Sequence, residues 1–161
     1  MPFKYVPKET RNKHYQTSMA RLYKQIIPIC EKLLIQDGYK CYFGTHNCKN
    51  FSIWKDCFTD MIGFDIDNPT NNKSVIEMDC NELGNIKIPL SLVVCAVGSR
   101  EVTPKLQHFM HNWVLDNLLP GGLFCINDYN FNKYNVSSLS IVETFYDSFR
   151  NKPYYLLTKT L

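Results

Sequence analysis

The chain has 161 residues, of which 45% are hydrophobic and 14% aromatic, so it can build one compact core and does not have the composition of a disordered protein. Lysine and arginine exceed aspartate and glutamate by 18 to 15 without any run of like charges, which gives no reason to expect nucleic-acid binding. We predict a single domain over residues 1–161, with residues 1–9 as a flexible N-terminal arm.

Seven cysteines are scattered without Cys-x-x-Cys spacing, and several lie in apolar segments, so we interpret them as reduced thiols. No apolar segment approaches the roughly 20 residues needed to cross a bilayer, and the N-terminus lacks the apolar segment of a signal peptide. We therefore expect a cytoplasmic protein with no membrane partner. Abundant asparagine and an excess of lysine over arginine indicate an AT-rich genome, such as that of a virus or parasite.

Helical and extended segments alternate along the chain. The long N-terminal segment has apolar residues at helical spacing, and Pro28 is expected to kink or divide it. Helices are predicted at Thr10–Gln36, at Phe51–Phe58, from Thr103-Pro104 onwards and at Val136–Phe149. Strands are predicted at Tyr39–Phe43, Met61–Ile66, Ser74–Met78, Leu90–Val97, Leu123–Ile126 and Tyr154–Thr160.

The segment Asn117-Leu-Leu-Pro-Gly-Gly-Leu-Phe-Cys-Ile-Asn-Asp-Tyr129 has the pattern of a helix end, a tight turn and a buried strand that stops at an acid. Pro120 cannot continue a helix, and the two following glycines allow positive φ. The short apolar run after them is typical of a strand covered on both faces. Such a segment is characteristic of nucleotide-type α/β sheets.

Alternating strands and helices predict parallel pairing with right-handed crossovers. The expected fold class is therefore α/β: a three-layer, doubly wound, mostly parallel sheet with an N-terminal helix. The closing strand follows the preceding helix through the short loop Asn151-Lys-Pro153, so it could insert antiparallel at one edge.

Polar residues follow the predicted strands, at the sheet edge where ligands bind in open α/β folds. An acid after the second strand can accept hydrogen bonds from a ribose diol, and one after the third can accept from an adenine amine. These positions outline an adenosyl site, although each acid alone could equally be a turn or helix cap. The residues are Gly44, Asp65-Ile-Asp67, Asp79, Gly98-Ser-Arg100 and Asn127-Asp128.

Four segments together resemble the class I S-adenosylmethionine-dependent methyltransferases, most of all the macrocin-type sugar O-methyltransferases. The similarity covers Tyr39 to Tyr129. It implies the Rossmann-like methyltransferase fold, S-adenosylmethionine as cofactor, and a sugar or other small polar hydroxyl as acceptor. The segments are Trp54-Lys-Asp-Cys-Phe58, Ile62-Gly-Phe-Asp-Ile-Asp67, Met78-Asp-Cys-Asn81 and Leu119-Pro-Gly-Gly-Leu-Phe-Cys-Ile-Asn-Asp-Tyr129.

The resemblance assigns roles at the cofactor site. It places Gly44 under the methionine part, Asp65 at the ribose and Asp79 at the adenine. Asp67 and Ser99, at the ends of the second and fourth strands, complete the predicted cofactor-binding set.

The sequence also departs from the family. Tyr42 stands where the family has its first motif acid, and Cys48 and Lys49 stand where it has loop glycines. Because glycine lets the backbone approach a ligand closely, we expect the Lys49 side chain to crowd the cofactor or to replace part of it.

The predicted catalytic residues are His46, whose imidazole could take a proton, and Asp128, which matches an acid that serves a metal or the substrate in the family. Ala96 and Val97 replace the acids expected after the fourth strand. Asp128 alone is a poor Mg²⁺ site, so no metal is predicted.

Other polar groups have simpler explanations. His108 and His111, one turn apart, could take a proton, but they are more simply expected as polar residues on the exposed side of their helix. Arg100 and Glu101 could bind an anionic substrate group or cap the next helix. Aromatic and asparagine residues from Asn127 to Asn135 could form a sugar-binding rim or an ordinary polar loop.

Three hypotheses follow: an active O-methyltransferase, a catalytically inactive scaffold with the same fold, and a regulatory subunit of an active methyltransferase. The expected partners are a small-molecule or sugar acceptor and either a second copy or a methyltransferase.

Overall fold

A computed structural model describes residues 8–35, 37–96, 104–127, 138–148 and 151–160 of the chain. Side chains are described for these residues except 8–16, 80, 81, 85 and 104–107. The strands are β1 (Tyr39–Phe43), β2 (Ile62–Asp65), β3 (Val75–Glu77), β4 (Leu90–Cys95), β5 (Leu118–Asn127), β6 (Leu139–Asp147) and β7 (Lys152–Lys159). The helices are α1 (Lys8–Leu33), α2 (Lys49–Cys57) and α3 (Pro104–Asn117), with a 3-10 helix at Cys80–Asn85.

The seven strands form one sheet in the order β3-β2-β1-β4-β5-β7-β6. Strands β1 to β5 are parallel, β7 is antiparallel to β5, and β6 is antiparallel to β7. The mostly parallel α/β sheet is therefore confirmed. The closing strand is antiparallel as predicted, but it lies between β5 and β6, so β6 forms the edge.

Helices cover both faces of the sheet. On one face α1 and α2 bury residues such as Tyr23, Phe51 and Trp54, and on the other α3 buries Met110 and Trp113. All six residues of β4 are buried, as expected for a central strand covered on both sides. Alternate side chains of each inner strand therefore point into two different core layers.

Helix α1 continues through Pro28, which is exposed. Pro28 therefore does not divide this segment, and a kink at this residue stays a prediction. The ring can be accommodated because it projects towards solvent, while the opposite side of the helix packs in the core through Leu22, Ile26 and Cys30. Residues 1–7 of the predicted arm lie outside the described part of the chain, and residues 8 and 9 belong to the helix.

The helix predicted at Val136–Phe149 is wrong, because residues 139–147 form strand β6. Its residues are rich in β-branched and aromatic types, which favour strands. Asn151 has φ of 52°, the left-handed conformation that suits a tight turn, and it precedes β7 directly. The segment pairs antiparallel with β7.

The Pro-Gly-Gly segment lies inside β5 and not before it. The pairing with β4 is irregular there, since Leu118 pairs with Leu90 whereas Leu123 pairs with Leu92. A side chain on Gly122 would bring its Cβ 2.8 Å from the Leu119 carbonyl oxygen. The glycine thus permits the local bend, and the predicted helix end at Asn117 is confirmed.

No cysteine in the described residues forms a disulfide, which agrees with the prediction of thiols. Five of these thiols are buried and Cys57 is exposed. No helix in the same part of the chain is long and apolar enough to cross a membrane.

Candidate functional site

The carboxyl ends of the parallel strands meet at one edge of the sheet. The N–H of Gly44 donates to Phe64 O at 2.9 Å, and the N–H of Ala96 donates to Phe43 O at 2.9 Å. The strand order reverses between β1 and β4, and ligands of open α/β sheets bind at such a reversal. Gly44 and Ala96 flank this point.

Asp65 ends β2, and both oxygens of its carboxylate accept backbone hydrogen bonds. Oδ2 accepts from the N–H of His46 at 2.8 Å, and Oδ1 accepts from the N–H of Asp67 at 3.3 Å. An ionised carboxylate has about four lone-pair sites, so both oxygens keep acceptor capacity. The bond to His46 also ties the loop after β1 to the end of β2.

Asp79 lies at the end of the neighbouring strand. Asp65 pairs with Glu77 of β3, and the N–H of Met78 donates to Asp65 O at 2.8 Å. Asp79 follows directly, is half-buried, and precedes the 3-10 helix. The structure therefore places Gly44, Asp65 and Asp79 along one edge on three adjacent strands.

The loop after β1 contains three residues with positive φ. Gly44 has φ of 88°, His46 of 49° and Cys48 of 64°. Cys48 therefore keeps a left-handed conformation although it is not glycine. Its side chain is buried in the core on the α1 face, and its Sγ accepts from the Thr70 hydroxyl at 3.4 Å. The loop therefore has a left-handed residue at Cys48 without glycine, and the Cys48 side chain packs in the core.

Lys49 is the first residue of α2 and is exposed. Its backbone N–H donates to Asn47 Oδ1 at 3.1 Å. Whether its ammonium group crowds a cofactor stays a prediction.

Tyr42 is 1% exposed and belongs to the core on the α1 face. Its hydroxyl lies 3.4 Å from that of Tyr23, which lies 3.4 Å from that of Tyr154. Its ring also packs on Phe51, with centroids 5.4 Å apart. Tyr42, which the resemblance aligns with the family's motif acid, is therefore a core residue.

Two residues that pack the loop after β1 against β2 were not predicted from the sequence. Thr45 is 3% exposed, and a Cβ on Gly63 would lie 2.5 Å from its Cγ2 atom. Gly63 therefore allows the loop to pack directly on β2. The sequence signal for this contact was Gly63 inside the predicted strand, two residues before Asp65. Glycine inside a strand often marks close approach of another segment.

Ile66 was also overlooked. It follows Asp65 at the same edge and is 71% exposed. An exposed aliphatic side chain beside an acceptor carboxylate offers an apolar surface for a flat heterocycle. Its position between the two acids of Asp65-Ile-Asp67 was the sequence signal.

The histidines separate into different environments. His46 is exposed in the loop, and His108 is exposed on α3 as predicted. His111 is 1% exposed and lies 5.5 Å from the ring of Phe124, so its predicted exposure is wrong. It faces the sheet because it lies one turn before the buried Val114, on the side of α3 that meets Phe124 of β5.

Several predicted residues lie outside the described part of the chain: Ser99, Arg100, Glu101, Asp128 and the segment from Asn130 to Asn135. Asp67 is described and exposed at the β2 end. Within the described residues, no three His, Cys, Asp or Glu side chains converge as a metal site. The absence of a metal therefore stays a prediction.

Two clefts among the described residues lie away from this edge. One of about 410 Å³ lies between the 3-10 helix and α3, next to Phe109 and Trp113. The other, of about 340 Å³, lies at the amino ends of the parallel strands, next to Gly38 and Pro89. The candidate site therefore rests on the strand-end geometry and not on a cavity.

No protein-family model matches the chain, and no curated protein matches its sequence. Solved structures match its fold. An rRNA methylase from Streptococcus thermophilus is 12% identical with a TM-score of 0.57, covering 98% of this chain and 100% of its own. The magnesium protoporphyrin IX methyltransferase of Synechocystis, with bound SAM, is 14% identical with a TM-score of 0.56, covering 98% and 84%.

The sugar N-methyltransferase KedS8 from Streptoalloteichus is 11% identical with a TM-score of 0.52, covering 89% of this chain and 64% of its own. The chain has the Rossmann-like methyltransferase fold. At these identities the similarity concerns the fold.

Proposed function

We propose that this chain is an S-adenosylmethionine-dependent O-methyltransferase-like protein that acts on a sugar or another small polar hydroxyl. The observation that carries the proposal is the Asp65 carboxylate, which two backbone N–H groups hold at the carboxyl edge of the sheet. Fold neighbours support it, since one contains bound SAM and another is a sugar N-methyltransferase. The resemblance to macrocin-type enzymes favours a sugar acceptor.

The residues at this edge fit the adenosine half of the cofactor. In this proposal Asp65 accepts hydrogen bonds from the ribose diol, and the exposed Ile66 packs on the adenine ring. Asp79, after β3, accepts from the exocyclic amine. Gly44 lies under the methionine part, and Asp67 and Ser99 complete the proposed cofactor site.

When bound, S-adenosylmethionine supplies an electrophilic methyl group on its sulfonium. The chain must then take the proton of the acceptor hydroxyl as the new oxygen–methyl bond forms. In the proposal, an imidazole nitrogen of His46 takes it, since this side chain is exposed in the loop that also holds Asp65. Asp128, beyond β5, orients the acceptor hydroxyl.

A second candidate is a catalytically inactive scaffold or a regulatory subunit of an active methyltransferase. Two observations favour it. Tyr42 is a core residue at the position of the family's motif acid, and Ala96, at the end of β4, carries no acid. For either candidate we propose a cytoplasmic location, because the protein's described cysteines form no disulfide and disulfides are rare in that compartment.

Calorimetry with S-adenosylhomocysteine tests the proposal. We expect the wild-type chain to bind, and Asp65→Asn to bind at least about tenfold more weakly, since a hydrogen bond to a charged group contributes roughly 1.5–3 kcal/mol. Asp56→Asn, an exposed acid on α2, is the matched control and should bind normally. Absence of binding at millimolar ligand would overturn the proposal.

Turnover distinguishes the two candidates. With a panel of sugar acceptors, His46→Asn should keep cofactor binding and lose methyl transfer by about 10²- to 10⁴-fold, the usual contribution of a general base. Asparagine is chosen because it tolerates the positive φ of this position. Binding of S-adenosylhomocysteine without transfer to any acceptor would support the scaffold.

A further inference from the structure

The loop between β1 and α2 alternates in backbone conformation. Gly44, His46 and Cys48 have positive φ, of 88°, 49° and 64°, whereas the residues between them, Thr45 and Asn47, do not. Loops of alternating hand can turn successive backbone N–H groups towards one concavity, which is a common way to hold an anion. This loop leads directly into α2, with Cys48 as the residue before the helix.

The first turn of α2 is open to a negative charge. The helix has nine residues, its N-cap makes no side-chain hydrogen bond, and no acid lies in its first turn. Asn47 Oδ1 accepts from the first N–H group, that of Lys49, at 3.1 Å. The dipole and the N–H groups of such a helix end attract phosphate and carboxylate groups. Lys49 adds a positive charge, and its ammonium makes no hydrogen bond or ion pair with the described part of the chain.

A buried hydroxyl beside this helix end has no protein partner among the described residues. Thr45 is 3% exposed, and its Oγ1 makes no hydrogen bond to them. Its methyl group is directed at Gly63 of β2, so the hydroxyl on the same Cβ faces away from β2, on the side of the turn that leads into α2. The Thr45 carbonyl closes that turn by accepting from Cys48 N–H at 2.8 Å. Buried polar groups are nearly always hydrogen-bonded, so this hydroxyl indicates that a bound group completes the site.

We propose that the loop Gly44–Cys48 and Lys49, which we call the anion cradle, bind the 5′-phosphate of an adenine nucleotide. The inference rests on the adenosyl half of the proposed function and adds a second class of ligand to the same site. Asp65 is the proposed ribose acceptor, and its carboxylate accepts from the N–H of His46 at 2.8 Å. The cradle therefore adjoins the ribose position, at the end where a 5′-phosphate is attached.

Charge differs between the two ends of the site as a nucleotide requires. The carboxylates of Asp65, Asp67 and Asp79 follow β2 and β3, where the neutral ribose and adenine present hydrogen-bond donors. Lys49 and the N-terminus of α2 follow β1, where the phosphate carries its negative charge. Dinucleotide-binding sheets likewise combine an acid at the ribose with phosphate at a helix N-terminus. The amino-acid end of S-adenosylmethionine already carries an ammonium group, so an added cation favours a phosphate over that end.

Calorimetry with AMP and adenosine tests the anion cradle, because these ligands differ only in the phosphate. We expect AMP to bind at least about tenfold more tightly than adenosine at low salt, with a ratio that falls as salt screens the charge. Lys49→Met should reduce the ratio at least about threefold. Lys73→Met, which removes an exposed lysine from the loop before β3, is the matched control and should leave it unchanged. An unchanged ratio in Lys49→Met would overturn the proposal.

Thr45→Val tests the buried hydroxyl, with Thr45→Ser as the control that keeps it. Valine has the shape of threonine without the hydroxyl, so the ligand-free variant should have a urea midpoint equal to or above that of the wild type. The same variant should bind AMP at least about threefold more weakly, whereas Thr45→Ser should keep the preference for AMP over adenosine. A Thr45→Val chain that loses stability and binds AMP normally would show that the hydroxyl serves the fold alone, against the proposal.

Binding of S-adenosylhomocysteine separates this inference from the proposed function. If it binds while AMP binds no more tightly than adenosine, the methyltransferase proposal stands and the anion cradle is overturned. AMP binding that depends on Lys49, without binding of S-adenosylhomocysteine, would support the cradle and overturn the methyltransferase. A chain that binds neither ligand overturns both.

Discussion

Tyr42 shows how one residue changes what a strand end can do. The last residues of β1 alternate between the two core layers, and Tyr42 faces α1, where its hydroxyl meets that of Tyr23. A carboxylate at the same position would lie among aromatic side chains. Burial of an unpaired charge is costly, so these surroundings favour a tyrosine over an acid at this position.

Substitution of Tyr42 tests this interpretation. Tyr42→Phe should lower the free energy of unfolding by about 1 kcal/mol, the usual net contribution of a hydrogen bond. Tyr42→Glu should lower it by at least about 3 kcal/mol, because it buries a carboxylate. Urea denaturation measures both, with Tyr146→Phe on the exposed face of β6 as the control. A Tyr42→Glu variant as stable as wild type that bound S-adenosylhomocysteine more tightly would instead place Tyr42 in the site.

At the scale of elements, the loop between β1 and α2 is held against β2 in two places. The N–H of His46 donates to Asp65, and Thr45 packs on Gly63. The second contact requires a glycine, because a Cβ there would lie 2.5 Å from a methyl group. The loop and the proposed ribose acceptor, Asp65, are therefore positioned by the same contact region.

Gly63→Ala should displace the loop. We expect a loss of about 1–3 kcal/mol of stability, the usual cost of overpacking, together with weaker binding of S-adenosylhomocysteine. Thr45→Ser removes the methyl group nearest to the new Cβ and should recover part of both losses. The rescue should be partial, since Val75 Cγ2 and Phe51 Cζ would still lie 3.1 and 3.2 Å away. A double variant no better than Gly63→Ala would contradict this account, with Thr45→Ser alone as the control.

At the scale of the whole molecule, both core layers contain thiols. Burial raises the pKa of Cys30 to about 12, with a smaller contribution from Glu31, and it raises the pKa of Cys41 to about 12. Cys30 lies in the layer covered by α1 and Cys41 in the layer covered by α3. The folded chain therefore keeps these protons at pH values where the unfolded chain loses them.

Stability should fall at alkaline pH. The ordinary pKa of the thiols is 9.0, so their contribution is fully present below that value and is lost as the pH rises from 9 towards 12. Urea denaturation between about pH 7 and about pH 10 measures the slope. Cys41→Ala should lower stability at neutral pH yet reduce the alkaline slope; an unchanged slope would show that other groups account for it.

Much of the fold was predictable because short apolar runs match buried strands. The predicted Tyr39–Phe43 strand coincides with β1, and the uniformly apolar run from Leu90 marks the central β4. The helix of Trp54 and the acid at the end of β2 were also foreseen. Each follows from local composition and turn chemistry, which do not depend on distant contacts.

The predictions failed where the local pattern permitted two structures. The apolar residues of Leu139–Asp147 satisfy a helical spacing as well as a bulged strand, and pairing with β7 decided between them. His111 looked exposed because polar residues usually are, but packing against Phe124 placed it in the core. Likewise, only the structure showed that the side chains of Tyr42 and Cys48 turn into the core.

The sequence by itself determined the alternation of strands and helices, the central strand and the acids at the strand ends, because hydrophobic period and turn residues act locally. The tertiary structure decided the strand order, the formation of strand β6 in place of a helix, and the burial of Tyr42 in the core. These depend on contacts between segments far apart in the chain, such as Tyr23 with Tyr154, and on which side of each element finds a partner to bury it.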